Sequence, residues 1–320
     1  MKTIIVAGGT GLLGKLATTH FLEKGWQVKI LSRTPQTSKV ENLSYLVWDG
    51  EQLGDWTSEL NGANVLLNLS GRTVDCRYTE RNKQQIMQSR LRSTRILNEA
   101  VGKCEQPPRL WLNASSATYY THAYTPQTET NGRVGKGFSV EVCQRWEQEF
   151  YQTDIPTVRK VALRLGFVLS ERDSALTPLK NMAMLGITAL GPGTQYMSWL
   201  HEQDYLRSLD IIIEKETITG SVNLCSPRPV TNRDFMRALR NAVPHLPIRL
   251  SLPQPILELG ARLIKTETEL ILKSRYVVPE SLLNAGFEFS FNTIEKTLAH
   301  LVTSNKSLCY NPLQLQSELV

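Results

Sequence analysis

The sequence predicts an α/β protein built on a doubly wound parallel sheet, with a small C-terminal lobe. Three observations carry that expectation. The first half alternates short apolar strands with amphipathic helical stretches, as in a parallel sheet covered by helices on both faces. A glycine-rich turn joins the first strand to the first helix. After about residue 170 the rhythm changes and prolines punctuate the chain.

Taken in order, Thr3–Ala7 is the first strand and Leu12–Lys24 the first helix, which Gly25 ends. Val28–Leu31, Ser44–Trp48 and Asn64–Leu69 are the next three strands. A long helix, Arg81–Val101, precedes a fifth strand at Leu110–Ala114. A helix at Ser139–Gln152 and a sixth strand at Val161–Leu169 follow. Leu176–Leu185 reads as a helix, Gly186–Gly193 as a glycine- and proline-rich loop, Gln203–Lys215 as a helix and Ser221–Leu224 as a seventh strand. Helical segments near Asn232–Asn241, Ile256–Ile264 and Ile294–Leu301 build the second lobe. The polar stretch Thr303–Val320 lacks periodicity and is expected to be a loosely held tail.

Composition narrows the partners. Apolar residues make up 41% and charged residues 21% of the chain, ordinary for a globular protein. No stretch approaches the roughly 20 apolar residues of a membrane span. The apolar run after Met1 breaks into glycines, which suits a buried strand rather than a secretory leader. The five cysteines are scattered without a C-x-x-C pair, and the five histidines show no ligand spacing. Neither a disulfide framework nor a metal site is expected, and the cytoplasm is the expected location. The net charge of +6 favours anionic ligands, but the basic residues are spread along the chain without a nucleic-acid-binding motif. Nucleic acid is therefore not an expected partner.

The chemistry begins at Gly8-Gly9-Thr10-Gly11-Leu12-Leu13-Gly14, which contains both G-x-x-G-x-x-G and G-x-G-x-x-G. Glycines let the backbone turn tightly and let a pyrophosphate approach its amides, with the positive end of the next helix aimed at that charge. Gly8, Thr10, Gly11, Leu12, Leu13 and Gly14 are therefore expected to receive a dinucleotide. Nineteen residues past Gly14, the second strand ends in Ser32-Arg33, where NAD-binding chains usually place an acidic residue for the ribose 2′-hydroxyl. A basic residue there suits the 2′-phosphate of NADP. Asp49 is placed to meet the adenine amino group. Leu69-Ser70-Gly71, after the fourth strand, is small enough to let the cofactor ribose lie close. On the following helix, one or both of Gln85 and Arg90 are candidates to face the cofactor.

Several further stretches together carry a family resemblance. They include Ser89-Arg90, Ser115-Ser116-Ala117-Thr118-Tyr119-Tyr120, Arg164-Leu165-Gly166-Phe167, Ser198-Trp199-Leu200-His201 and Val278-Pro279-Glu280-Ser281-Leu282-Leu283. Over roughly residues 3–302 the chain resembles the atypical short-chain dehydrogenase/reductases of the NAD-dependent epimerase family, which carry a C-terminal domain of unknown function. The resemblance implies an extended Rossmann fold with a small C-terminal substrate lobe, and NADP as cofactor. The expected division is 1–170 for the NADP-binding domain, with a helix and strand returning at about 203–225. Residues 171–202 and 226–302 form the lobe, and 303–320 the tail. By position, Gly8, Gly11 and Gly14 take the pyrophosphate, Ser32 and Arg33 the adenosine phosphate, and Leu69 and Ser70 flank the ribose. Phe167 lies near the nicotinamide. The chain departs from the family pattern at Asp173-Ser174-Ala175-Leu176, where a glycine pair is usual.

In the wider group, catalysis uses a Ser or Thr that steadies an oxyanion and a Tyr-x-x-x-Lys dyad whose lysine lowers the tyrosine pKa. Ser116 fits the serine position, but about twenty-two residues on the dyad positions hold Phe138 and Val142. Ser116 and Tyr120 are the catalytic candidates; Tyr119, Lys136, His201 and Asp204 are weaker substitutes for the missing acid. Two functions stay open: an NADP-dependent oxidoreductase or epimerase-like enzyme of unknown small-molecule substrate, or an NADP-binding sensor or partner-binding protein without turnover. A homodimer is compatible with the wider group, though nothing in the sequence marks an interface.

Overall fold

The computed structural model of the protein describes residues 1–171, 176–263 and 269–307. The first strand β1 (Thr3–Ala7) leads into helix α1 (Leu12–Glu23), then β2 (Gln27–Ser32), β3 (Leu43–Val47) and β4 (Val65–Asn68). Helix α2 (Glu80–Gly102), β5 (Leu110–Ser116), α3 (Phe138–Tyr151) and β6 (Arg159–Leu165) follow. Next come β7 (Phe167–Leu169), α4 (Leu176–Met184), β8 (Ile187–Leu190), β9 (Tyr196–Met197), β10 (Trp199–His201) and α5 (Glu202–Glu214). The remaining elements are β11 (Gly220–Leu224), β12 (Val230–Thr231), α6 (Asn232–Ala242), β13 (Leu250–Leu252), α7 (Gln254–Leu263), α8 (Glu269–Leu272), α9 (Glu280–Asn284) and α10 (Ile294–Ser307).

Seven strands form one parallel sheet in the order β11-β6-β5-β4-β1-β2-β3. This is the doubly wound Rossmann order, with a seventh strand added beyond β6. The chain winds outward from β1 through β2 to β3, then crosses back and winds the other way from β4. That reversal opens a crevice beyond the carboxyl ends of β1 and β4.

The central strands are buried on both faces, so their residues divide by parity. Ile4 and Val6 pack with Ala17 and Phe21 of α1 and Tyr205, Leu209 and Ile212 of α5. Ile5 and Ala7 face the other way, against a cluster that holds Ile96, Leu97 and Val101 of α2 and Phe150 of α3. A buried side chain such as Phe21, 1% exposed, contributes about 1.5–3 kcal/mol by leaving water. A third cluster, built from Leu176, Leu179, Trp199, Phe235, Leu239 and Leu298 among others, is the core of the C-terminal lobe.

The structure redraws three sequence expectations. The sixth strand is broken at Gly166: β6 stays in the main sheet, while β7 leaves it to pair with β10. A Cβ at Gly166 would lie 2.8 Å from the Ser198 carbonyl oxygen, so the close approach of the two segments needs glycine there. The stretch 186–193 is not all loop, because its apolar residues form β8, which pairs with β13 inside the proline-rich region. The start of the expected tail is helical, since α10 runs on to Ser307. Asp173, Ser174 and Ala175 in the departure from the family pattern lie outside the described residues, as do Ile264 and 308–320.

Candidate functional site

The glycine turn sits at the crevice. Gly8 has φ +81°, a conformation that disfavours a side chain, and a Cβ there would meet the carbonyl carbon of Leu69 at 2.7 Å. At Gly14 a Cβ would come within 2.4 Å of the Gly8 oxygen and 2.5 Å of the Gly9 Cα. The turn is closed by Gly11 N donating to Gly8 O at 3.1 Å. Gly11 is also the N-cap of α1, with no side chain capping the helix and no acidic residue in its first turn. The first amides of a helix have no intrahelical acceptor, and the helix dipole adds partial positive charge there. These residues fit a pyrophosphate: a bare backbone cradle, uncapped donors and nothing negative to repel it.

Across from the turn, β4 ends in buried Asn68. Its Nδ2 donates to Asn113 Oδ1 (2.7 Å) and Thr94 Oγ1 (3.2 Å), and its Oδ1 accepts from Ser70 N (3.0 Å). That network fixes the turn after β4 against the glycine loop.

A cleft of about 470 Å³ runs from this cradle along the carboxyl edge of the sheet. Gly8, Gly11, Leu12, Leu13, Gly14 and Leu69 line its near end. Ser115 and Ser116, the last residues of β5, and Leu165 of β6 form part of its floor. Arg90 and Ile86 of α2 and a stripe of α3 complete it. The structure thus brings together eight of the predicted residues, namely Gly8, Gly11, Leu12, Leu13, Gly14, Leu69, Arg90 and Ser116.

Ser116 Oγ accepts from Thr118 N (3.1 Å) and donates to Thr118 Oγ1 (3.0 Å), so its hydroxyl is held at the mouth of β5. Arg90 donates through Nη1 to Arg72 O (3.0 Å) and Ile86 O (3.1 Å) and lies over the Trp146 ring at 5.0 Å. Burial lowers the Arg90 pKa from its ordinary value.

Other predicted residues lie outside the cleft lining. Gln85 is exposed, and Ile86 takes the inward position that it was a candidate for. Helical geometry explains this, since Ile86 and Arg90 are four residues apart on one face while Gln85 points elsewhere. Thr10 lines a smaller cavity on the other side of the glycine turn. Ser32 is buried and closes a local turn, donating to Thr34 O at 2.8 Å, while Arg33 is exposed just beyond it. Asp49 accepts from Glu51 N and Gln52 N, both at 2.8 Å, and those bonds hold its pKa low. Ser70 Oγ is buried without a hydrogen-bond partner. Gly71 is exposed, and a Cβ on it would meet Arg90 Cζ at 3.0 Å. Phe167 turns away with β7 and packs against the core of the lobe, leaving Leu165 at the cleft.

The catalytic candidate Tyr120 lies away from the cleft. It is 2% exposed and absent from the cleft lining. Its hydroxyl donates to Asn223 Oδ1 (2.9 Å) and accepts from Arg164 Nη1 (2.9 Å). Burial raises its pKa, with Arg164 opposing that rise. Arg164 in turn makes a two-pronged ion pair with Glu147, at 2.8 and 2.7 Å, and lies 3.7 Å from the Tyr119 ring centroid. Glu147 also accepts from Ser115 Oγ (2.6 Å), so the buried network reaches the cleft through that serine. The Lys136 carbonyl oxygen accepts from Lys273 Nζ (3.0 Å).

The substitute acids from the lobe also lie outside the cleft lining. His201 is fully buried, stacks on Phe291 at 3.6 Å and accepts from Gln203 N through Nδ1 (3.0 Å), capping α5. Burial, and then His300, push its imidazole down to about 3. Asp204 accepts from Ser290 N (2.9 Å) and Phe291 N (2.8 Å).

Sequence reasoning missed the cleft residues Tyr78, Ser115, Ser139, Cys143, Trp146 and Leu165. Tyr78 Oη lies 3.3 Å from Ser139 Oγ, and its ring meets Phe138 edge-on. Phe138, Ser139, Val142, Cys143 and Trp146 all line the cleft, and their spacing is a helical stripe that could have shown this face. Burial, then Glu147, push the Cys143 thiol up to about 12, so it stays protonated. Among the described residues no group of His, Cys, Asp and Glu could hold a metal, and no helix is long and apolar enough to cross a membrane.

Comparison with known proteins agrees with this architecture. The NAD dependent epimerase/dehydratase family matches residues 4–225, and a domain of unknown function matches 252–301. An epimerase family protein of Bacillus subtilis is 28% identical over 95% of this chain and 99% of its own length. One from Staphylococcus epidermidis is 30% identical over 94% and 99%. Among solved structures, a human epimerase family protein crystallised with NADPH superposes with a TM-score of 0.82 at 24% identity, covering 94% of this chain and 99% of the other. The match in sequence covers both the glycine cradle and the strands that carry the cleft, and the chain belongs to the NAD dependent epimerase/dehydratase family.

Proposed function

We propose that the protein binds NADP(H) in the crevice and works as an oxidoreductase or epimerase-like enzyme on a small molecule held between the cleft and the C-terminal lobe. The observation that carries this reading is the uncapped, acid-free N-terminus of α1 behind a glycine turn, opening directly into the cleft. The nicotinamide, when bound, supplies or accepts a hydride. The amides of Leu12, Leu13 and Gly14 bind the pyrophosphate, and Leu69 and Ser70 border the ribose. Ser116, at the end of β5, steadies a substrate oxygen as charge develops.

The preference for NADP over NAD rests on the end of β2. No acidic side chain stands there to hold a 2′-hydroxyl, and the exposed Arg33 suits a phosphate. The human neighbour solved with NADPH supports the same preference. The C-terminal lobe, with its own core, is the part that recognises substrate. Tyr120 has no direct place in this chemistry, because its hydroxyl is committed to Arg164 and Asn223.

A second reading, cofactor binding without turnover, is favoured by one feature. The positions where a Tyr and a Lys would stand are Phe138 and Val142, and both line the cleft. Calorimetric titration with NADPH and with NADH, followed by a carbonyl panel monitored through NADPH absorbance, separates the possibilities. The enzyme reading expects tighter binding of NADPH and oxidation by some panel member. Tight binding with no oxidation across the panel favours the sensor, and equal affinity for the two nucleotides overturns the NADP preference.

A further inference from the structure

A second, smaller cavity of about 100 Å³ adjoins the glycine turn on the side away from the cleft. Gly9 lines it, along with Thr10 on the turn, Lys15 and Thr18 on α1, and Gln36 on the segment that follows Arg33. Ile30 of β2 and Tyr45 of β3 close it from the sheet.

Two features of its polar groups ask for a ligand. Thr18 is 3% exposed and its Oγ1 is buried with no hydrogen-bond partner. An unpaired buried hydroxyl is costly, so a ligand group that accepts or donates there is favoured. Lys15 lies three residues earlier, on the same face of α1, and is exposed. No acidic side chain lines the cavity. Hydroxyls, a carboxamide and one ammonium therefore converge beside the turn, a donor set suited to a phosphoryl group.

We infer that this cavity is a phosphate site for the 2′-phosphate of a bound adenine dinucleotide, with Lys15 as its cation and Thr10, Thr18 and Gln36 as its neutral partners. The inference rests on the proposal that the dinucleotide lies at the glycine turn. It adds that discrimination between NADP and NAD is shared between Arg33 at the end of β2 and Lys15 on α1. Lys15 stands one residue past the last glycine of the motif, so the segment that holds the pyrophosphate also reads the second phosphate.

The test compares the wild-type protein with Lys15→Gln in titrations with NADPH, NADH, 2′,5′-ADP, 5′-AMP and inorganic phosphate. Lys15 is on the surface, so the variant keeps the fold, and its far-UV circular dichroism serves as the check. The expected result is a loss of roughly 5- to 10-fold in affinity for NADPH and for 2′,5′-ADP, with NADH and 5′-AMP unchanged. Thr18→Val is expected to weaken the same two ligands, and to leave NADH unaffected. Inorganic phosphate that protects Lys15 from amine acetylation in the wild type, without any nucleotide, would show that the cavity takes phosphate itself. If wild type binds NADPH at the turn and Lys15→Gln keeps the wild-type ratio of NADPH to NADH affinity, the inference fails while the cofactor proposal stands. If wild type binds neither nucleotide, the cofactor proposal itself fails and takes the inference with it.

Discussion

The two ends of the cleft are built on different principles. At the near end, the glycine turn and α1 present backbone, and their geometry follows from missing side chains: Gly8 and Gly14 sit where a Cβ would strike main-chain atoms within 2.7 and 2.4 Å. At the far end, α3 presents Phe138, Val142 and Cys143, while Tyr120 and Glu147 are held in the interior. Tyr120 is bound to Arg164 and Asn223, and Glu147 is paired with Arg164. A cofactor site made of backbone survives almost any change in the side chains around it. A proton-transfer site does not, because it depends on one acid at one place.

The sharpest way to break this contrast is at the near end. Gly14→Ala places a Cβ against backbone that cannot move aside cheaply, so NADPH affinity is expected to fall by more than about 100-fold. Circular dichroism and the thermal midpoint of the variant show whether the fold persists. Retained affinity in a folded Gly14→Ala protein would remove the turn from the binding site.

At the far end, the expected effect of Tyr120→Phe is on stability. It leaves Asn223 Oδ1 and one Arg164 donor unpaired in the interior, at a cost of about 1–3 kcal/mol measured by urea unfolding. NADPH affinity should be unchanged, and so should turnover once a substrate is known. Loss of turnover with affinity and stability intact would restore Tyr120 as a catalytic residue.

The effect in the lobe shows only below about pH 6.5. His201 is neutral in the folded protein because burial and His300 push its pKa to about 3, against about 6.5 in an unfolded chain. Above pH 6.5 the group is neutral in both states and contributes nothing to the pH dependence. As pH falls from 6.5 toward 3, the unfolded chain takes up a proton that the folded chain refuses, and stability drops by about 1.4 kcal/mol per pH unit. His201→Asn keeps an acceptor at the N-cap of α5 and should flatten this slope between pH 6.5 and 5, read from urea midpoints. An unchanged slope would assign the pH dependence to another group.

The same contrast explains what the sequence could reveal. Strand–glycine turn–helix is a local pattern, and with it came the doubly wound order, the uncapped helix and the residues of the near end. The far end depends on contacts between residues distant in the chain. Tyr120 and Asn223 are 103 residues apart, and no spacing announces that they share a hydrogen bond. Gly166 looked like part of one long strand because the close approach of Ser198 is invisible along the chain. The helical stripe on α3 was present in the spacing but went unread, and the choice between Gln85 and Ile86 required knowing where α2 packs.

The most direct test of the central claim is amide hydrogen exchange at the start of α1, with and without NADPH. The first amides of this helix have no side-chain cap, and in the free protein they should exchange quickly. Saturating NADPH is expected to slow exchange across residues 12–14 more than anywhere else in the chain. Binding of NADPH that leaves these amides unprotected would contradict the account, because the pyrophosphate would then lie elsewhere.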